Sequence, residues 1–196
     1  MKVAVISNKG GVGKSSISFL IAKHFEAYCL SNDGSILEKI YDKGKIVEEL
    51  PVVNDDVNMV YDFGGWADNK SVKVISDCDK VFIITNLDPN SIEKMITSME
   101  TLKTYNKNIS VIINKIDNSK LKKYQSSIDF IENNVDVPIF KLNQSEGIVN
   151  AYFEGLNLLE MINSNGLNKR NYSTIEEQFK QIIEYIKGKW DGIWFR

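Results

Sequence analysis

A short apolar run, Val3-Ala4-Val5-Ile6, leads directly into Ser7-Asn8-Lys9-Gly10-Gly11-Val12-Gly13-Lys14-Ser15-Ser16. Apolar residues then recur at helical spacing: Ile17, Phe19, Leu20, Ile21 and Phe25. A buried strand, a glycine loop and a helix in that order severely restrict the possible folds. Gly13-Lys14-Ser15 completes the second half of the phosphate-loop pattern G-x-x-x-x-G-K-[ST], with Asn8 standing where the first glycine would be. Glycines let backbone N–H groups face an anion with no Cβ in the way. The start of the following helix adds partial positive charge. Lys14 is placed to reach β- and γ-phosphates, and the Ser15 hydroxyl to hold Mg²⁺.

The rest of the chain repeats the same alternation. Residues 27–31, 57–61, 81–85, 109–113 and 137–140 read as further strands. Residues 91–105, 121–131, 147–162 and 174–187 read as helices, the first of them opening at Ser91. Continuous apolar strands alternating with helices predict an α/β domain, a mostly parallel sheet with helices on both faces. Ligands of such sheets sit beyond the carboxyl ends of the strands. Polar residues gather at those ends: Asn32-Asp33, Asp62 to Gly65, Asn86 to Asp88 and Asn114-Lys115.

Lys9 is an extra cation at the start of the loop, and the string Lys9 to Ser15 resembles the deviant Walker A motif of the ParA/MinD ATPases. The resemblance runs over about residues 1–187 and implies a P-loop ATPase domain that uses ATP and Mg²⁺. It implies nucleotide contacts through Lys9, Gly10, Gly11, Val12, Gly13, Lys14, Ser15 and Ser16. In that family the early lysine crosses a dimer interface to the partner's nucleotide, so Lys9 is expected to stabilise transferring charge in trans, as an arginine finger does. Residues 57–62 look like the family's Walker B strand, with Asp62 holding Mg²⁺ through water beside Ser15. Gly64-Gly65 would begin a switch loop. Asn114 resembles the adenine-contacting asparagine, and residues 138–147 the segment that closes over the base. The family ends its second strand with two aspartates one residue apart, the first orienting the attacking water. Here Ser31 and Asp33 fall at those places; a shift of register makes Asp33 the water-orienting residue, and a serine in that role would slow hydrolysis.

Other classes fit poorly. Cys29 and Cys78 cannot build a disulfide framework or a four-ligand metal site, and suit a reducing, cytoplasmic compartment. One histidine, His24, supports no Ser-His-Asp arrangement. A net charge of −2 advertises no polyanion partner. Lys115, Lys120, Lys122 and Lys123 form a loose basic cluster, either a solvated face or a non-specific DNA surface. The aromatic tail, 188–196, would pack on the domain or a dimer partner, contact a membrane, or meet another protein. The functional expectation is an ATPase that cycles between monomer and ATP-bound homodimer to segregate plasmid or chromosomal DNA. A ParB-like centromere-binding adaptor would stimulate it, and the charged form would sit on the nucleoid rather than at a membrane. The rivals are a MinD-like positioning ATPase acting at a membrane or on another cargo, a weakly hydrolysing scaffold, and a small ATP-dependent biosynthetic enzyme.

Overall fold

Among the described residues, seven parallel strands form one sheet in the order β3-β2-β4-β1-β5-β6-β7. A computed structural model describes residues 1–65 and 68–189 of the chain. The strands are β1 (Lys2–Ile6), β2 (Tyr28–Ser31), β3 (Gly44–Ile46), β4 (Met59–Phe63), β5 (Lys80–Thr85), β6 (Ile109–Ile116) and β7 (Ile139–Asn143). The helices are α1 (Lys14–His24), α2 (Leu37–Ile40), α3 (Asn69–Ser76), α4 (Pro89–Leu102), α5 (Leu121–Asn134), α6 (Glu146–Phe153), α7 (Leu158–Asn163) and α8 (Gly166–Ile186).

Strand periodicity splits the core into two layers. Val3 and Val5 of β1 face a cluster built with Phe19 and Leu20 of α1, Ile148 of α6 and Phe179 of α8. Ala4 and Ile6 face the opposite cluster, with Ile75 of α3, Met95 and Met99 of α4 and Ile131 of α5. Both faces are therefore covered, as a parallel sheet requires. The chain leaves β1 through α1 on one face towards β2, and leaves β5 through α4 on the other face towards β6. The directions part at β1, which opens a crevice at its carboxyl end.

Several local signals differ from the sequence reading. The short elements α2, β3 and α3 were not expected. β3 is a three-residue edge strand with Lys45 and Ile46 exposed, so it carries almost no periodic signal. Helix α4 begins at Pro89, with Asp88 rather than Ser91 as its cap, accepting from Ser91 N at 3.1 Å. Proline suits the first helical position because it has no N–H to leave unpaired. The single helix expected over 147–162 is two, α6 and α7, broken at Gly155. That glycine has φ +68, and a Cβ there would lie 2.4 Å from the Ile40 carbonyl oxygen. Helix α8 starts earlier than expected, at Gly166, and contains the non-helical Tyr172. The expected tail lies mostly outside the described residues.

Candidate functional site

The glycine loop turns from β1 into α1 at the centre of the sheet. Gly11 and Gly13 have φ +78 and +93, left-handed conformations that suit glycine. A Cβ on Gly10 or Gly11 would meet nothing within 4 Å, so this stretch of loop faces open space. Gly13 caps α1 with no side-chain hydrogen bond, and the first turn carries no acidic residue. The N–H groups of that turn are thus available to an anion.

Both halves of the loop are tied down. Asn8 Nδ2 donates to Ser98 Oγ on α4 at 2.7 Å, so the residue replacing the first glycine is an anchor. Lys9 Nζ pairs with Asp88 Oδ1 at 2.7 Å. The Lys9 ammonium first, and then the Ser91 hydroxyl, hold the Asp88 carboxyl down at about 2. On the other side, Asn114 Nδ2 donates to Val12 O at 2.8 Å and Lys115 Nζ to Gly11 O at 2.7 Å. Adjacent strand residues ordinarily point to opposite faces. Here the β6–β7 register slips between Ile113 and Ile116, and Lys115 adopts φ 58. That backbone costs about 1 kcal/mol in a non-glycine residue. It lets both neighbouring side chains reach the loop. Ile116 consequently returns to the same core layer as Ile113.

Lys14 is buried and its Nζ lies 3.0 Å from Asp33 Oδ2 and 3.3 Å from Asp62 Oδ1. Asp62, at the end of β4, is 1% exposed. It also accepts from Ser31 Oγ at 2.9 Å and Ser18 Oγ at 3.3 Å. Burying this carboxylate is tolerable because three donors surround it. Asp33 is exposed on the loop after β2. Asn32 Oδ1 beside it accepts from Gly64 N at 2.6 Å, which links the ends of β2 and β4. Ser15 and Ser16 are half-buried in the first turn of α1.

Lys14, Asp33 and Asp62 therefore meet beside the loop, while Lys9 pairs with Asp88 and Ser15 lies in the first turn of α1. Ser31, the other candidate for the water-orienting place, has its hydroxyl committed to Asp62, whereas the Asp33 carboxylate is half exposed and pairs with Lys14. Asn114 is buried beneath the loop, where its Nδ2 donates to Val12 O. The expected basic cluster divides. Lys115 is bound to the loop and Lys120 to Asp117 at 2.7 Å, leaving Lys122 and Lys123 exposed on α5. Ser18 and Asp117 were not singled out, and Asn32 and Asp88 stood out only as polar residues at strand ends. Ser18 lies one turn after Lys14, and its helical spacing was the available signal. Burial raises the thiol pKa of Cys29, and that of Cys78 to about 12, so neither is a nucleophile. His24 closes α1, half-buried.

The residues fit a Mg²⁺-nucleotide. The donor set is one of hydroxyl, carboxylate and loop N–H groups around open glycines. Among the described residues no cluster of three or more His, Cys, Asp or Glu could hold a metal alone. Mg²⁺ is usually held by one or two protein oxygens plus phosphate oxygens and water, and Ser15 and Asp62 are the residues that would supply them.

A parallel α/β sheet with this loop at its centre defines a P-loop nucleotide-binding domain. The chain belongs to the CbiA family, the CobQ/CobB/MinD/ParA nucleotide binding domain, which matches residues 3–159. No curated protein sequence matches it. Solved structures share its fold. MinD cell division protein of Aquifex aeolicus superposes with a TM-score of 0.60 at 15% identity, covering 93% of this chain and 96% of that one. An ATP complex of Cyanothece McdA gives 0.63 at 15% identity, covering 98% of both chains. A plasmid partition protein of Borrelia burgdorferi gives 0.57 at 13% identity, covering 82% of this chain and 96% of that one.

Proposed function

We propose that this chain is a Mg²⁺-dependent nucleoside triphosphatase, monomeric when free and dimeric when charged, whose output is the segregation of plasmid or chromosomal DNA. ATP is the nucleotide that the family supplies, and the phosphate chemistry is the same for any purine triphosphate. One observation carries the reading. Both loop lysines rest on carboxylates at the rim of a glycine cradle, Lys14 on Asp33 and Asp62, Lys9 on Asp88.

Lys14 exchanges these carboxylates for the β- and γ-phosphates, a change of partner with little loss of charge pairing. Asp33, released, accepts a hydrogen bond from the attacking water. Ser15 and Asp62 would hold Mg²⁺, Asp62 through water, and the ion would supply charge neutralisation to the phosphates. Lys9 leaves Asp88 and reaches the partner subunit's nucleotide, so the charged state favours the dimer. The Asn32–Gly64 contact passes the state of the crevice to the segment after β4. Pairing two subunits doubles the exposed Lys122 and Lys123, and two weak phosphate-binding patches gain by avidity. A centromere-binding adaptor of ParB type would accelerate hydrolysis, in the cytoplasm and on the nucleoid. Relatives of this fold include a plasmid partition protein, which supports the choice of cargo.

The test is light scattering coupled to sizing, with ATP and GTP analogues that resist hydrolysis, beside gel shifts on random-sequence DNA at two salt concentrations. Triphosphate-dependent dimers that bind DNA and lose it in salt are expected. Binding to anionic vesicles without DNA retention would overturn DNA segregation in favour of membrane positioning. Monomers throughout would overturn the dimer cycle.

A further inference from the structure

We propose that Asn8 and Ser98 form a pivot that positions Lys9 for the partner subunit, so that this pair governs nucleotide-dependent dimerisation and turnover and leaves nucleotide affinity alone. The proposal deepens the dimer reading and rests on the trans role given there to Lys9.

Asn8 stands where the common phosphate-loop pattern has a glycine, a residue with no side chain to reach a neighbour. Its Nδ2 donates to Ser98 Oγ at 2.7 Å. Ser98 is buried in α4, and its hydroxyl donates to Lys94 O one helical turn back, also at 2.7 Å. A hydroxyl whose proton is spent inside the helix shows the loop only lone pairs, so the loop must bring a donor to it. The Lys94 ammonium lies 3.5 Å from Asn8 O, and the Lys9 N–H donates to Ser7 Oγ at 3.2 Å. The peptide joining Asn8 to Lys9 is thereby held on both sides.

The two adjacent side chains diverge. Lys9 runs to Asp88, the cap of α4, while Asn8 runs to Ser98 in the second half of the same helix. About ten residues of helix separate the contacts, roughly 15 Å along its axis. The first half of the loop is therefore laid along α4 and attached at two points of different character. The Lys9–Asp88 pair is partly open to water, and a phosphate offers the ammonium a charged partner of the same kind. The Asn8–Ser98 bond carries no charge for a phosphate to draw away. When Lys9 leaves Asp88, its Cα stays fixed against α4 and the side chain searches a small volume. Less freedom is then lost when it meets the partner's nucleotide, which is preorganisation. Binding within one subunit uses the other half of the loop, from Val12 onward, and that half is held separately by Asn114.

The test sets calorimetry with Mg²⁺ and ADP beside light scattering and turnover, the scattering with an ATP analogue that resists hydrolysis, on wild type, N8A, S98A, S98T and K9A. Asn8 is exposed, so its truncation leaves the core intact, and retained ADP affinity reports the fold of each variant. N8A and S98A are expected to keep ADP affinity within about two-fold and to weaken the dimer about ten-fold, the loss of one hydrogen bond to a buried group, with turnover falling in step. S98T keeps the hydroxyl and is expected to dimerise as wild type does. ADP binding that weakens as much as dimerisation in N8A assigns Asn8 to the cradle itself and overturns the pivot. S98T that fails as S98A does, with ADP affinity intact, overturns the hydrogen bond as the cause. If K9A loses the dimer and N8A keeps it, the pivot alone falls. If K9A dimerises as tightly as wild type, or wild type stays monomeric, the trans role of Lys9 falls and the pivot with it.

Discussion

Gly13→Ala puts a Cβ 2.3 Å from Asn114 Nδ2, well inside van der Waals contact. It also forces alanine to hold φ +93. The left-handed backbone costs about 1 kcal/mol. The amide must withdraw, and its 2.8 Å bond to Val12 O is lost. Val12 and Asn114 are both buried, so the unmade bond adds about 1–3 kcal/mol. The expected total is about 2–4 kcal/mol, read as a lower urea midpoint with unchanged slope in the nucleotide-free protein. Asn114→Ala alone removes the same bond and costs about 1–3 kcal/mol. In the double variant the clash has nothing to meet and the bond is already gone. Its cost should therefore match Gly13→Ala alone, a coupling of about 1–3 kcal/mol, equal in size to the cost of Asn114→Ala. Costs that add to within about 0.5 kcal/mol would refute the claim that Asn114 and Gly13 act as one support for the loop.

Lys14→Met should destabilise the free protein by up to about 3 kcal/mol, because Asp62 keeps only hydroxyl donors, and Asp62→Asn in the same chain should recover most of the loss. A double variant as unstable as Lys14→Met by urea titration would contradict that origin. Lys9→Ala should bind nucleotide as a monomer yet fail to dimerise. Asp88→Ala, which frees Lys9, should still dimerise, and light scattering separates the two. Asp88 stands at about 2 in the folded chain against 3.8 unfolded, so its contribution to stability is complete above pH 4 and is lost as pH falls towards 2. The difference in urea midpoint between wild type and Asp88→Asn should be constant from pH 5 to 8 and shrink below pH 4. A change across neutral pH would show that another group is responsible.

Each loop residue except Asn8 was legible in the sequence, because a phosphate cradle needs glycines at set spacing and the chain carries them in order. The parallel sheet was legible for a similar reason. Runs such as Val3 to Ile6 and Val81 to Thr85 are apolar without alternation, which only strands buried on both faces require. Elements that lack periodicity escaped, as β3 and α2 did, since three or four residues hold no period. The partners of the lysines could not be read at all. That Lys9 meets Asp88, that Asn8 meets Ser98 and that Lys14 lies between Asp33 and Asp62 depend on strand order, and strand order joins residues 19 to 90 positions apart. The placement of Asn114 depends on something finer. A one-residue slip beside β7 turns two neighbouring side chains onto the same loop, and no pattern in Ile-Asn-Lys-Ile announces it. Local chemistry determined which groups could bind a phosphate. The sheet register decided which of them hold the loop and which remain free to meet the ligand.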